Sequence, residues 1–197
     1  FHELFGASST DSQGDLRLNF EHRQSGWTFN ADYQLAAFYG DRFSLPNDSR
    51  RLLDLTSVID QSDDSALVQR LDRLWVGYAS EKAVVRFGRQ ALSWGNGLFY
   101  APMDLVNPFD PAAVDTEYKA GDDMLYLQYL TDSGADIQGA YVIRRDALNG
   151  EMNGSVATTA LKYHGFAGVG EFDVLVARQY GDDVLGLSAS RGVGSAQ

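Results

Sequence analysis

The side chains able to do chemistry are few and scattered. The three histidines, His2, His22 and His164, stand in no spacing that would ligate a metal. The chain has no cysteine, which excludes a disulfide framework, a thiolate nucleophile and a Cys-ligated ion. No Gly-x-Ser-x-Gly elbow occurs, so a hydrolase would need a Ser/His/Asp site assembled from distant segments. Asp63/Asp64, Asp122/Asp123 and Asp182/Asp183 offer the carboxylate oxygens that a hard cation accepts. Solvated loop charge explains the same pairs. No catalytic residue, metal ligand or cofactor is assigned, and the expected role is not enzymatic.

Basic residues make a more coherent set. Arg17, Arg73, Arg86, Arg144 and Lys162 each fall on the polar side of an alternating stretch. There they would form a basic stripe along a water-filled lumen, or pair across strands with Glu21, Asp32, Asp136 and Asp173. Arg89 is out of phase with Arg86, which predicts a bulge or a rim near Gly88. Beyond Gln90 the chain enters a segment holding three of its four prolines, Pro102, Pro108 and Pro111. Proline fixes φ and removes a backbone donor, so this segment is neither a central strand nor a helix interior. Loops beyond about 12–15 residues are normally functional or disordered, and the aromatics here argue for order. Trp94, Gly95, Gly97, Phe99 and Pro108 are expected to anchor the loop. Asp104, Asp110, Asp115 and Glu117 would face Arg86 and Arg144 across a constriction, a field that selects solutes by charge and dipole. A cap over the rim, or a contact surface for a neighbouring subunit, is the alternative placement.

These residues need a scaffold, and its signal is a period of two. Trp27, Phe29, Ala31, Tyr33 and Leu35 alternate with Thr28, Asn30, Asp32 and Gln34, as in a half-buried strand. Leu16, Leu18 and Phe20 alternate with Arg17, Asn19 and Glu21. Further strands are expected at about 70–79, 83–92, 124–131, 136–144, 156–165, 172–179 and 184–190, which brings the count to about nine. Most exceed the usual strand length of about 5–6 residues. Helical periodicity appears only weakly, over 50–59 and 66–74. Tight turns at 24–26, 80–82, 132–135 and 169–171 alternate with long links at 40–69, 93–123 and 145–155. Tight turns on one rim and long loops on the other are the plan of an outer-membrane barrel.

Charge follows the same division. The overall net charge of −11 makes nucleic acid an unsuitable partner. Segment 40–69 carries −3, 93–123 carries −5 and 145–155 carries −1, which leaves the walls near neutral. Divalent ions could bridge such acidic loops to anionic lipid and lipopolysaccharide head groups. No run of about 18 apolar residues exists, so a transmembrane helix is excluded. A spanning strand needs about 9–11 residues, and most of the expected strands run to about 8–11. Trp27, Tyr39, Trp75, Tyr78, Tyr163 and Tyr180 lie near strand ends, where interfacial girdles form. A soluble barrel or sandwich that binds carbohydrate through its aromatic loops alternates in the same way, and an outer-membrane hydrolase is the third reading.

The run Gly88-Arg89-Gln90-Ala91-Leu92-Ser93-Trp94-Gly95-Asn96-Gly97, continuing through Met103-Asp104-Leu105-Val106-Asn107-Pro108-Phe109-Asp110-Pro111, resembles a signature of porin-like outer-membrane proteins of Gram-negative bacteria. Arg70-Leu71-Asp72-Arg73-Leu74 and Tyr118-Lys119-Ala120-Gly121-Asp122-Asp123 resemble it too. The family is broadly of the type of the substrate-specific and alginate-export porins. The resemblance covers residues 50–145 and implies a barrel in the bacterial outer membrane that passes a small hydrophilic or anionic solute. The fold expected is all-β, an antiparallel transmembrane β-barrel formed by one domain over 1–197, and compatible with a homo-oligomer. Bacterial barrels of this kind have an even number of strands, so this chain is expected to be part of a larger one.

Overall fold

The computed structural model describes residues 11–40, 43, 45–94, 106 and 119–191. Leu16, Leu18 and Phe20 belong to β1 (Ser12–Gln24), which turns tightly at Ser25-Gly26 into β2 (Trp27–Tyr39). The strands that follow are β3 (Thr56–Gln61), β4 (Ser65–Ala79), β5 (Ala83–Gln90), β6 (Asp122–Leu130) and β7 (Asp136–Val142). They continue as β8 (Thr158–Ala167), β9 (Gly170–Gln179) and β10 (Asp182–Arg191). All lie in one antiparallel sheet of order β1-β2-β4-β5-β6-β7-β8-β9-β10, with β3 paired to β4 off that path. Among the described residues there is no helix, and β1 and β10 are the free edges of the sheet.

The sheet's register keeps each alternation in step with the next. One row crosses it as Thr28, Gly77, Arg86, Tyr126, Ala140, Ala160 and Ala177. The facing row runs through Phe29, Val76, Phe87 and Leu125. The two faces differ in exposure. Leu16, Leu18, Phe20, Trp27, Phe29, Val76, Val85, Phe87, Leu127, Leu161 and Leu185 are exposed, while Gln34, Arg89, Lys162 and Asp173 are buried. The principal buried cluster also lies on the polar face. It joins Met124, Tyr126, Ala140, Val142, Ala160 and Leu175 to Leu92, Trp94 and Val106 of the connecting segment.

Two parts of the chain depart from the sequence reading. Segments 50–59 and 66–74, where helical spacing showed, are extended from Thr56 and Ser65 onward. The reason lies in a bulge: Asp32 pairs Arg73 and Tyr33 pairs Leu71, which leaves Asp72 as the extra residue of β4. That slip brings Leu67, Leu71 and Leu74 onto one face at spacings of four and three, the spacing of a helical stripe. About a third of the expected loop 40–69 is therefore sheet, and β3 raises the strand count from nine to ten. The tight turns between β1 and β2, β4 and β5, β6 and β7, and β8 and β9 fall on one rim as expected, whereas the opposite rim carries the long links and two tight turns, 62–64 and Tyr180-Gly181.

Candidate functional site: a buried ion cluster and the polar wall below it

Gly88 sets the site's geometry. Its φ is +123°, and a Cβ there would lie 2.2 Å from the carbonyl oxygen of Leu74, so only glycine fits. The kink falls between Arg86 and the out-of-phase Arg89, which lies near the end of β5 opposite Asp123 of β6. There the five N–H groups of Arg89 meet five acceptors. Nε donates to Asp123 Oδ1 at 2.9 Å, and Nη1 to both oxygens of Asp48 at 2.9 and 3.0 Å. Nη2 donates to Asp123 Oδ2 at 3.1 Å and to the Leu53 carbonyl at 2.5 Å. The side chain is 1% exposed, which makes this a fully satisfied buried ion triad.

Further bonds tie the neighbouring segments to that triad. The Leu53 and Leu55 amides donate to Asp123 and Asp48, which clamps the link before β3 across the rim. Arg51 donates to Asp48 at 2.8 Å. Burial alone would raise the Asp48 carboxyl, but hydrogen bonds from Arg51, Arg89 and the Leu55 amide outweigh it and hold the group at about 2. Arg144 donates to Asp122 at 2.8 Å and Thr158 at 2.6 Å, under the ring of Tyr180. Lys119 Nζ donates to the Leu92 carbonyl and its own carbonyl accepts from Arg73, which closes the neck of the 91–121 segment. Gly121 permits this approach, since a Cβ there would lie 2.5 Å from the Asp72 carbonyl oxygen.

The three stretches that resemble a porin signature thus converge: Asp72-Arg73, Gly88-Arg89 and Lys119 to Asp123 meet at one rim. Sequence reasoning missed Asp48, Arg89 and Asp123 as a unit. The one local signal was the broken phase at Arg89.

The five basic positions do share the polar face, and four of them are neutralised. Arg17 pairs with Asp15, Arg73 with Asp72, Arg144 with Asp122 and Lys162 with Asp173. Of the anticipated partners, Asp173 forms an ion pair and Asp32 stands opposite Arg73 in the register, so these four are not a free basic stripe. Asp122 and Asp123 serve arginines rather than a cation, and among the described residues no cluster suits a metal. Asp173 also accepts from Ser188 Oγ at 2.8 Å and meets His164 Nδ1 at 3.0 Å. Ser188 therefore addresses the carboxylate rather than the imidazole, which is not the order that nucleophilic catalysis requires.

Trp94 is buried and donates to Gln138 Oε1 at 2.6 Å, which seats the start of the long segment on the polar wall. Gly95, Gly97, Phe99, Pro108, Asp104, Asp110, Asp115 and Glu117 lie outside the described residues. Of the six expected girdle aromatics, Trp75 is a correction. The Asp72 bulge and its register with Asn30 place it on the polar face, with the Arg86 guanidinium 5.5 Å from its ring centroid. Trp27, Tyr39, Tyr78 and Tyr163 are exposed on or beside the apolar face, whereas Tyr180, also exposed, sits at a turn with its ring over the Arg144 guanidinium of the polar face. Compared with protein-family models, curated proteins and solved structures, the chain matches none.

Proposed function

We propose that this chain is wall and rim of an outer-membrane β-barrel that passes small hydrophilic or anionic solutes. The supporting observation is the inverted polarity of the sheet: ionised side chains buried on one face, large apolar ones exposed on the other. Each exposed Leu, Val or Phe forgoes about 1.5–3 kcal/mol that burial would supply. A bilayer recovers that energy and leaves the polar face to line water. Seven of the ten strands run to between 9 and 15 residues, against the 9–11 that a tilted strand needs to span hydrocarbon. Exposed Trp27 and Tyr78, ring centroids 5.2 Å apart, suit a head-group girdle at the tight-turn rim. Anionic lipid and lipopolysaccharide would then surround the acidic rim.

The test is incorporation into a planar lipid bilayer of the protein folded in detergent. Stepwise single-channel conductance is expected, together with precipitation when detergent is withdrawn. A monodisperse, detergent-free protein with no conductance overturns the reading and favours a soluble ligand-binding sheet.

A further inference from the structure

β1 and β10 end the path of the sheet, but β3 has an open side of its own. β2 takes one edge of β4 over 65–78, so β3 and β5 share the other. β5 covers that edge over 74–79, and β3 covers 66–70, beyond the end of β5. Among the described residues no strand pairs with the far side of β3. The ladder decides which groups are left there. The Leu71 amide donates to the Leu55 carbonyl, so Leu55 and, two residues on, Ser57 turn their backbone groups toward β4. Those of Thr56 and Val58 point to the open side, and no hydrogen bond of the described residues reaches them. Thr56 Oγ1 is also buried without a partner. Thr56 and Val58 line a cavity of about 520 Å³ together with Asn47, Arg51, Asp54 and Arg145. Its two arginines are occupied: Arg51 pairs with Asp48, and Arg145 donates to the carbonyls of Arg51, Leu52 and Gly150. Asp54, Asp60, Asp63 and Asp64, on β3 or beside it, are exposed and in no ion pair among the described residues. Val58 and Ile59 are exposed as well.

We propose that β3 is a docking edge for a short, extended cationic peptide, which adds to the sheet as its next strand. The peptide main chain bonds to Thr56 and Val58, whose backbone groups are open. On the cavity side a Lys or Arg of the peptide meets Asp54, and β-branched residues pack on Val58. Asp60 and the Asp63-Asp64 turn stand further along the edge and draw a second cation. The bulge between Val58 and Asp60 confines regular pairing to 55–58, which suits a short segment rather than a long strand. A second copy of this chain is the poorer occupant, because it would bring the same four carboxylates to the seam, and like charges on facing strands repel. The docking does not require that the chain cross a membrane.

Fluorescence anisotropy with the folded full chain tests it with three end-blocked peptides. One alternates lysine and valine, one is the same peptide with every backbone nitrogen methylated, and one alternates glutamate and valine. Saturable binding of the lysine peptide is expected, roughly tenfold or more tighter than that of either other. The methylated peptide keeps the charge but cannot donate to the edge, and the glutamate peptide keeps the donors but reverses the charge. On binding, hydrogen exchange should slow more at the Thr56 and Val58 amides than at that of Ser57, which β4 already holds. Val58→Pro removes an edge donor and leaves the β4 ladder intact, so it should cost roughly tenfold. Asp54→Asn should cost about threefold. The methylated peptide puts the same question to the unaltered chain, whatever Val58→Pro does to folding. Equal affinity for all three peptides, no saturation with the lysine peptide, or exchange unchanged at Thr56 and Val58 overturns the proposal. A dimer that Val58→Pro dissociates would assign the edge to a second copy and overturns it too.

Discussion

Arg89 shows how much one side chain can organise at this rim. Breaking a buried ion pair by removing one partner typically costs about 3–5 kcal/mol, because the remaining charges stay desolvated. Arg89→Met would leave Asp48 and Asp123 buried without their shared cation. The variant is expected to lose stability of that order in urea unfolding from micelles; a loss under about 1 kcal/mol would show that the triad contributes little. Acid provides a second handle. The Asp48 carboxyl is held at about 2 in the fold, below its ordinary 3.8. A depressed carboxyl stabilises the fold above its unfolded value and loses that contribution as pH falls through the folded one. Roughly 2 kcal/mol should therefore fade between about pH 4 and 2. Asp48→Asn should flatten that part of the pH–stability curve, and an unaltered slope would assign the acid sensitivity elsewhere. Little of this was legible in the sequence, because Asp48 and Arg89 are 41 residues apart and only the fold brings them together.

The strands were far more legible than the site. Period-two alternation located nine of them, because register ties every strand's apolar set to one face. Failures came where that period breaks. The extra residue Asp72 disguised the first half of β4 as helical, and β3 carries its own slip between Val58 and Asp60, which leaves Val58 and Ile59 both exposed. The same bulge turned Trp75 from an expected rim aromatic into a wall residue. Two substitutions test the faces directly. Leu18→Arg on the apolar face, at the middle of β1, should cost about 2–4 kcal/mol near a bilayer midplane, and Asn19→Arg on the polar face far less. Equal penalties in lipid-vesicle unfolding would contradict the assignment of faces. Gly88→Ala should cost at least about 2 kcal/mol in the same assay, since it adds a clash with the Leu74 backbone to an unfavourable φ.

At the scale of the molecule, the polar face is lined and also partly filled. Trp94 and Val106, 3% and 1% exposed, pack with wall residues from β6 to β9. Two widely separated points of the proline-rich segment thus lie against the wall rather than out in solvent. Replacing 97–117 by a short Gly-Ser link is expected to raise single-channel conductance and to change ion selectivity. Unchanged values would make the segment a rim cap.

Direction along the sheet carries a consequence of its own. The path β1-β2-β4-β5-β6-β7-β8-β9-β10 has nine members, and antiparallel neighbours alternate, so β1 and β10 both run from the long-link rim to the tight-turn rim. Two strands pointing the same way cannot be antiparallel partners. Parity therefore forbids this path from closing on itself by antiparallel pairing, and a second copy in the same orientation would meet it in parallel at each seam. Any antiparallel ring that contains these nine strands must insert an odd number of others between β10 and β1, beginning and ending with strands that run the opposite way.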